Sequence, residues 1–271
     1  MMPVSALGRR QFVALSGLAA LSACAPRVEE VAVLPPDHLP EYGPVTDSGI
    51  HLPAIPSNFT EGVNRRITGQ YLGEQPAGTI DVDPYAKFLY LVREGDQSVR
   101  YPIGVGRAGR AFSGDGTIRV KKMWPGWTPT ANMLRTEPDV YGPFARGIPG
   151  GRRSPLGARA LYLYKGGRDT HYRIHGTNDL ESIGNSGSAG CIRMFNHDII
   201  HLFDLVDLGM RVHVRSEAES LRVDPENFNR GYEIPARHVN PDDIYSDEAI
   251  ANDPPPVFGA AAIPAGDDVP L

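Results

Sequence analysis

Apolar residues recur at every second position along short runs between residues 77 and 215, and turn residues separate the runs. This period of two predicts strands, because successive side chains of a strand point to opposite faces. "GTIDVD" (78–83) alternates and stops at Pro84. "KFLYLVREG" (87–95) and "VRYPIGVG" (99–106) follow one another across a short turn and predict a hairpin. "TIRVKKMW" (117–124) breaks at Pro125-Gly126, and "ARALYLY" (158–164) leads through "KGGRD" into "HYRIHG" (171–176). In that run Tyr172 and Ile174 fall on one face, and His171, Arg173 and His175 on the other. "MRVHVR" (210–215) completes the set. One stretch has a convincing helical stripe: Ile199, Ile200, Leu202, Phe203, Leu205, Val206 and Leu208, with Asn196 placed as N-cap and Gly209 as C-cap. Many short strands with one good helix predict a mainly β fold, a sandwich or barrel with helical decoration.

Composition divides the chain further. Residues 24–76 are rich in Pro and polar residues ("VLPPDHLPEYGPV") and predict a tether and approach segment, with 58–76 the candidate for an edge strand. Residues 77–215 carry 19 basic and 13 acidic side chains, net +6. Residues 216–271 carry 3 basic and 12 acidic, net −9, so the overall charge of −5 belongs to the flanks. The last block has too few large apolar residues for a core of its own and predicts a largely disordered tail, with "NFNRGYEIPARHV" the one stretch suited to pack on the domain. About 140 residues remain for one compact domain, a common size. Its basic residues are scattered among strands, which argues against a nucleic-acid partner.

The N-terminus sets the compartment. Arg9-Arg10 precede "QFVALSGLAALSA", an uncharged stretch well short of the ~20 residues that cross a bilayer. Residues 1–23 therefore predict a signal peptide. It ends in "LSAC", which resembles a bacterial lipobox and makes Cys24 the candidate lipidated residue. Arg9-Arg10-Gln11-Phe12 suits a twin-arginine signal, although Gly8 departs from the usual pattern, and both export routes stay open. The expected location is the periplasm of a Gram-negative bacterium, with a lipid anchor in the inner or outer membrane. The chain has two cysteines. If Cys24 carries lipid, Cys191 is a lone thiol in an oxidising compartment, which calls for a reactive role or intermolecular pairing.

Cys191 follows a Gly- and Ser-rich loop and lies just before the predicted helix, and His175 ends a predicted strand sixteen residues earlier. A free thiol titrates near ~8.5, so a neighbouring imidazole or converging backbone N–H groups are needed to stabilise its thiolate. Cysteine and histidine together make a nucleophile and a general base. Ser188, Ala189, Gly190 and Arg193 are poor company for a cysteine that merely fills a core. His197 and His201 in "HDIIH" imitate a zinc motif, but Asp stands where the glutamate base belongs and no third ligand is evident, so no metal is expected there. Arg193 suits two roles equally: pairing with a substrate carboxylate, or holding the loop through backbone carbonyls or Asp198.

"HGT" (175–177), "IG" (183–184), "S-x-G-C-I-R" (188–193) and "N-x-D" (196–198), in this order and spacing, resemble the signature of the L,D-transpeptidases, the YkuD domain family. "WPGWTPTANM" (124–133) and "GGRRSPLGARALYLY" (150–164) resemble its proteobacterial members. The resemblance covers roughly residues 77–215. It implies a YkuD-type β-sandwich or barrel in which Cys191 is the nucleophile and His175 the general base and acid. It further implies Gly176 as backbone orienter, Gly190 as backbone oxyanion donor, and Arg193, Ser188 and Asn178 as substrate-binding residues. The implied partners are peptidoglycan stem tetrapeptides, as donor and acceptor, joined 3→3 through a thioacyl-enzyme with no metal or organic cofactor. The expected protein is a monomer that touches the membrane only through its N-terminal lipid. Alternative outcomes are L,D-carboxypeptidase activity, transfer to a D-amino acid or an envelope protein, or a non-catalytic peptidoglycan-binding lipoprotein. One position departs: Ala189 stands where many members carry a second histidine, which leaves the base role to His175 alone.

Overall fold

The structure, a computed structural model, describes residues 37–106, 112–187, 192–235 and 239–252. The signal segment, Cys24 and the stretch Ser188–Cys191 lie outside the described residues.

Two short strands, β1 (Val45–Asp47) and β2 (Ile50–Leu52), form a hairpin of their own. Twelve others build one mixed sheet: β3 (Ile67–Gln70), β4 (Thr79–Asp83), β5 (Phe88–Arg93), β6 (Gln97–Pro102), β7 (Gly104–Val105) and β8 (Gly114–Met123) from the first half. From the second half come β9 (Arg159–Lys165), β10 (Arg168–Thr177), β11 (Ser186–Gly187), β12 (Ile192–Phe195), β13 (Arg211–Val214) and β14 (Glu233–Ile234). The order across the sheet is β14-β11-β7-β12-β10-β9-β8-β13-β4-β5-β6-β3.

That order requires the sheet to curl. β6 and β7 stand eight positions apart in it, about 38 Å on a flat sheet at the usual strand spacing. Yet the chain passes from Pro102 to Gly104 between them, a step of two residues and at most about 7 Å. The inward faces accordingly share one core: Ile80, Tyr101, Ile118, Leu161, Ile192 and Val212, drawn from strands across the whole order, belong to a single buried cluster. The mainly β expectation holds. The β9–β10 hairpin turns on Gly166 and Gly167, both at positive φ (58° and 79°), the backbone a two-residue hairpin loop requires.

Helix α3 (Asn196–Leu205) docks its Ile199 and Leu202 into this core. It differs from the expected element at both ends. Phe195 is the N-cap and Asn196 the first helical residue, because the Asn196 side chain is engaged elsewhere. The helix stops at Val206, and Gly209 (φ 92°) instead shapes the turn into β13, its N–H donating to the Ile118 carbonyl at 2.7 Å. Short helices also form at α1 (Ala131–Thr136) and α2 (Pro138–Tyr141). His171 leaves the expected alternation: it sits at φ 60°, where the β9–β10 register shifts.

Both flanks carry structure. Tyr42, Ile50, Leu52 and Ile55 are buried, and β3 pairs with β6 at the sheet edge. Asp47 accepts two bonds from the Arg159 guanidinium, each 2.7 Å, and one from Trp124 Nε1 at 2.6 Å. After residue 216, where composition predicts disorder, the described residues form α4 (Glu217–Val223), β14, α5 (Asp242–Tyr245) and α6 (Asp247–Asn252). A capping box starts α4: the Ser216 hydroxyl accepts the Glu219 N–H, and the Glu219 carboxylate accepts the Ser216 N–H at 2.7 Å.

Candidate active site

His175 lies near the end of β10, and β12 runs parallel beside it, with Ile174 opposite Ile192 and His175 opposite Arg193. Ile192 is the residue that follows Cys191 in the chain. His175 is 4% exposed. Its Nδ1 lies 2.6 Å from the Gly176 carbonyl oxygen. A carbonyl only accepts, so this contact fixes the tautomer: Nδ1 carries the proton and donates, and Nε2 keeps its lone pair. Burial pushes the imidazole down to about 4, a shift reinforced by the nearby Arg193 and Arg173 charges and opposed by the Gly176 bond. Near neutral pH the ring is therefore neutral, the form a general base needs.

The strand end is held from below by backbone with no side chains in the way. A Cβ on Gly176 or on Gly157 would overlap Asn196 Oδ1. That oxygen accepts the Ala158 N–H at 2.9 Å, while Asn196 Nδ2 donates to Asn178 Oδ1 at 3.1 Å. Asn178 in turn donates to the Arg152 carbonyl. One amide at the start of α3 thus ties together the strand of the histidine, the start of β9 and the segment before it. Asn196 was legible as a cap and as part of the N-x-D motif, but not as this bracket, since its partners are 18 and 38 residues away in sequence.

Arg193 faces protein groups. Its guanidinium donates to Asp179 Oδ2 at 3.3 Å and to the Gly187 carbonyl at 3.1 Å, and its side chain is 9% exposed. Gly187 is the last described residue before Ser188–Cys191, and Arg193 stands two residues after that stretch. The expected alternative partner, Asp198, is taken elsewhere. It is fully buried, accepts from the Tyr42 hydroxyl at 3.1 Å and pairs with Arg66 at 3.3 Å. The Gly187 carbonyl is a backbone partner of the kind expected, and Asp179 is the one the sequence did not indicate.

Of the other expected site residues, Cys191, Ser188 and Gly190 lie outside the described residues, as does Ala189. His197 and His201 diverge from one another: His197 Nε2 lies 2.7 Å from the Gly43 carbonyl, and His201 Nδ1 lies 2.8 Å from the Tyr101 hydroxyl.

A family model for the YkuD L,D-transpeptidase catalytic domain matches residues 77–214. The sheet, the histidine near the end of one of its inner strands and the matched span together define a catalytic domain of that type. The chain belongs to the L,D-transpeptidase family. It is 33% identical over 174 residues to the probable L,D-transpeptidase ErfK/SrfK of Salmonella typhimurium, covering 64% of this chain and 50% of that protein. It is 38% identical over 141 residues to the probable L,D-transpeptidase YbiS of Escherichia coli K12, covering 51% and 44%. Among solved structures it is similar to one from Brucella melitensis described as a probable carnitine operon oxidoreductase, at 42% identity and a TM-score of 0.41, covering 56% of this chain and 95% of that one. The chain spans about half the length of these curated relatives.

Proposed function

We propose that this protein is a cysteine-dependent peptidoglycan L,D-transpeptidase that forms 3→3 cross-links between stem peptides. The observation that carries the reading is the tautomer of His175, set by the 2.6 Å bond to the Gly176 carbonyl, on a strand paired with the one that follows Cys191. In this reading Nε2 takes the proton from Cys191 Sγ. The thiolate attacks the carbonyl of the third stem residue, a diaminopimelate, while the Gly190 N–H stabilises the developing oxyanion. The C–N bond to D-Ala breaks, and the imidazolium returns its proton to the leaving amine. A side-chain amine of a second stem then attacks the thioester and gives up a proton to His175. The C–S bond breaks, a new amide forms and the thiol is restored.

Arg193 acts here as a positioning residue, because its fork, two residues after Cys191, is spent on Asp179 and Gly187, which precede Cys191 in the chain. In this reading Ser188 and Asn178 bind the donor stem. The lipobox-like "LSAC" supports anchoring through Cys24 on the periplasmic side of a membrane. The test is incubation of the protein with a disaccharide tetrapeptide. Wild type should show a thioester-linked mass on Cys191 and tripeptide–tetrapeptide dimers, and Cys191→Ala neither. Tetrapeptide converted only to free tripeptide would replace transfer by hydrolysis, and an unreacted substrate would overturn the enzyme reading.

A further inference from the structure

β11 stops at Gly187, just before residues 188–191, and β12 takes up the chain again at Ile192. β7 runs between these two strands, with Val105 opposite both Ser186 and Ile192. On the far side of β11 lies β14, parallel to it, with Ser186 opposite Glu233 and Gly187 opposite Ile234. β14 falls beyond the family-matched span of 77–214. Within that span, and among the described residues, β11 has β7 as its one strand neighbour. A strand of two residues ending in glycine has little hold of its own on a backbone course.

The C-terminal flank supplies that hold. The Ser186 N–H donates to the Tyr232 carbonyl at 2.9 Å, and the Tyr232 N–H donates to Asn185 Oδ1 at 3.1 Å. The two backbones meet closely: a Cβ on Gly187 would overlap the Ile234 carbonyl oxygen, and one on Gly231 the Gly184 carbonyl oxygen. Ile234 is buried. Arg230 anchors the segment at its start. Its Nε donates to the Ala86 carbonyl at 3.0 Å, Nη2 to the Lys87 carbonyl at 3.1 Å and Nη1 to Asn64 Oδ1 at 3.0 Å, while the guanidinium lies 4.4 Å from the centre of the Phe88 ring. Asn64 in turn donates to the Ile183 carbonyl at 3.3 Å, on the approach to β11. Gly187 is thus held by β14 on one side and, through its carbonyl, by Arg193.

We infer that residues 230–234 are a strap that fixes β11, and through it the backbone entering Cys191, so that the thiol is presented to His175, with Arg230 as the positioning residue of the strap. The inference rests on the cysteine-dependent reading of the site. Its physical basis is the steep cost of misalignment, where a displacement of about 1 Å lowers a rate on the order of 10²-fold.

Alkylation of Cys191 by iodoacetamide reads the thiol and its base without any transfer reaction. It would be followed on the full chain at neutral pH by mass spectrometry of the Cys191 peptide, at a temperature where every variant is folded. Arg230→Ala releases the anchor, and Gly231→Ala pushes the strap off β11 at its narrowest contact. Each should slow alkylation about tenfold or more. Made on His175→Gln, the same changes should slow it less than about twofold, because no base is left to misalign. With tetrapeptide the loss should fall on kcat and leave KM within about twofold of wild type. Ser220→Ala removes the bonds from α4 to Asp83, upstream of the strap. It should lower the melting temperature and leave alkylation at the wild-type rate. Equal slowing with and without His175, wild-type rates in both strap variants, or the same slowing in Ser220→Ala would each overturn the proposal. Tetrapeptide left unreacted by wild type would count against the transfer reading alone, and the alkylation rates would still decide the strap.

Discussion

His175 shows how one hydrogen bond selects a chemistry. A buried imidazole whose Nδ1 proton is committed to the Gly176 carbonyl offers only Nε2 to a thiol. His175→Gln should leave the fold intact and reduce acylation of Cys191 by about 10²–10⁴-fold, the usual contribution of a positioned general base, measured by mass spectrometry of the acyl-enzyme over time. Because burial holds the ring down to about 4, the base stays deprotonated well below the ordinary histidine range. The acid limb of kcat/KM is expected below pH 6.5, and a limb at or above that value would count against His175 as the base. Arg193 acts on the loop. Lysine cannot reproduce its two-pronged contact with Gly187 and Asp179, so Arg193→Lys should lower the melting temperature and slow acylation by tetrapeptide and by a β-lactam acyl donor to a similar degree. A selective loss with tetrapeptide alone would return Arg193 to direct substrate binding.

At the scale of elements, α3 fastens the N-terminal flank to the site. Asp198 in its first turn is fully buried beneath Tyr42 and Arg66. Burial pushes its carboxyl up to about 7 from 3.8, against the pull of Arg66 and Tyr42. Between those values the folded state holds a proton that the unfolded chain releases, so this group's contribution to stability is full at low pH and is lost as pH rises toward 7. Asp198→Asn removes that loss. The melting temperature of wild type minus variant should therefore fall between pH 4.5 and pH 8, and a constant difference would refute the assignment. Asn196, two residues earlier in the same turn, is the element's other anchor. Asn196→Ala leaves the buried Ala158 N–H without its acceptor, which should cost about 1–3 kcal/mol in denaturant unfolding.

At the scale of the molecule, residues before the family-matched span of 77–214 pack onto it. The Asp47–Arg159 pair, the buried Tyr42 and Ile55, and β3 at the sheet edge all precede that point. Removing residues 1–76 would leave Arg159, 3% exposed, without its carboxylate, a class of change that costs about 3–5 kcal/mol. A chain starting at residue 77 should lack the cooperative melting transition that a chain starting at residue 37 retains, as calorimetry would show.

Most strands of the 77–215 block, the helix after the nucleophile motif and the family signature were legible in sequence because each rests on local period or on a spaced motif. What escaped was set by contacts between distant residues. "GTIDVD" reads as a strand with one wet face, yet Asp81 and Asp83 are both buried, since Arg215 from beyond β13 and Ser220 from α4 close over them. Asn196 reads as a cap and serves instead as a bracket, because Asn178, just past β10, and Ala158, just before β9, present a carboxamide and an N–H within its reach. The tail reads as disordered because its apolar residues are few. Ile234 and Ile244 nonetheless find ready-made surfaces on the domain, and a segment that borrows another's core needs little hydrophobicity of its own. Local pattern fixed most of the strands, the main helix and the family signature. The curl of the sheet and the packing of both flanks onto it were decided by contacts at long range.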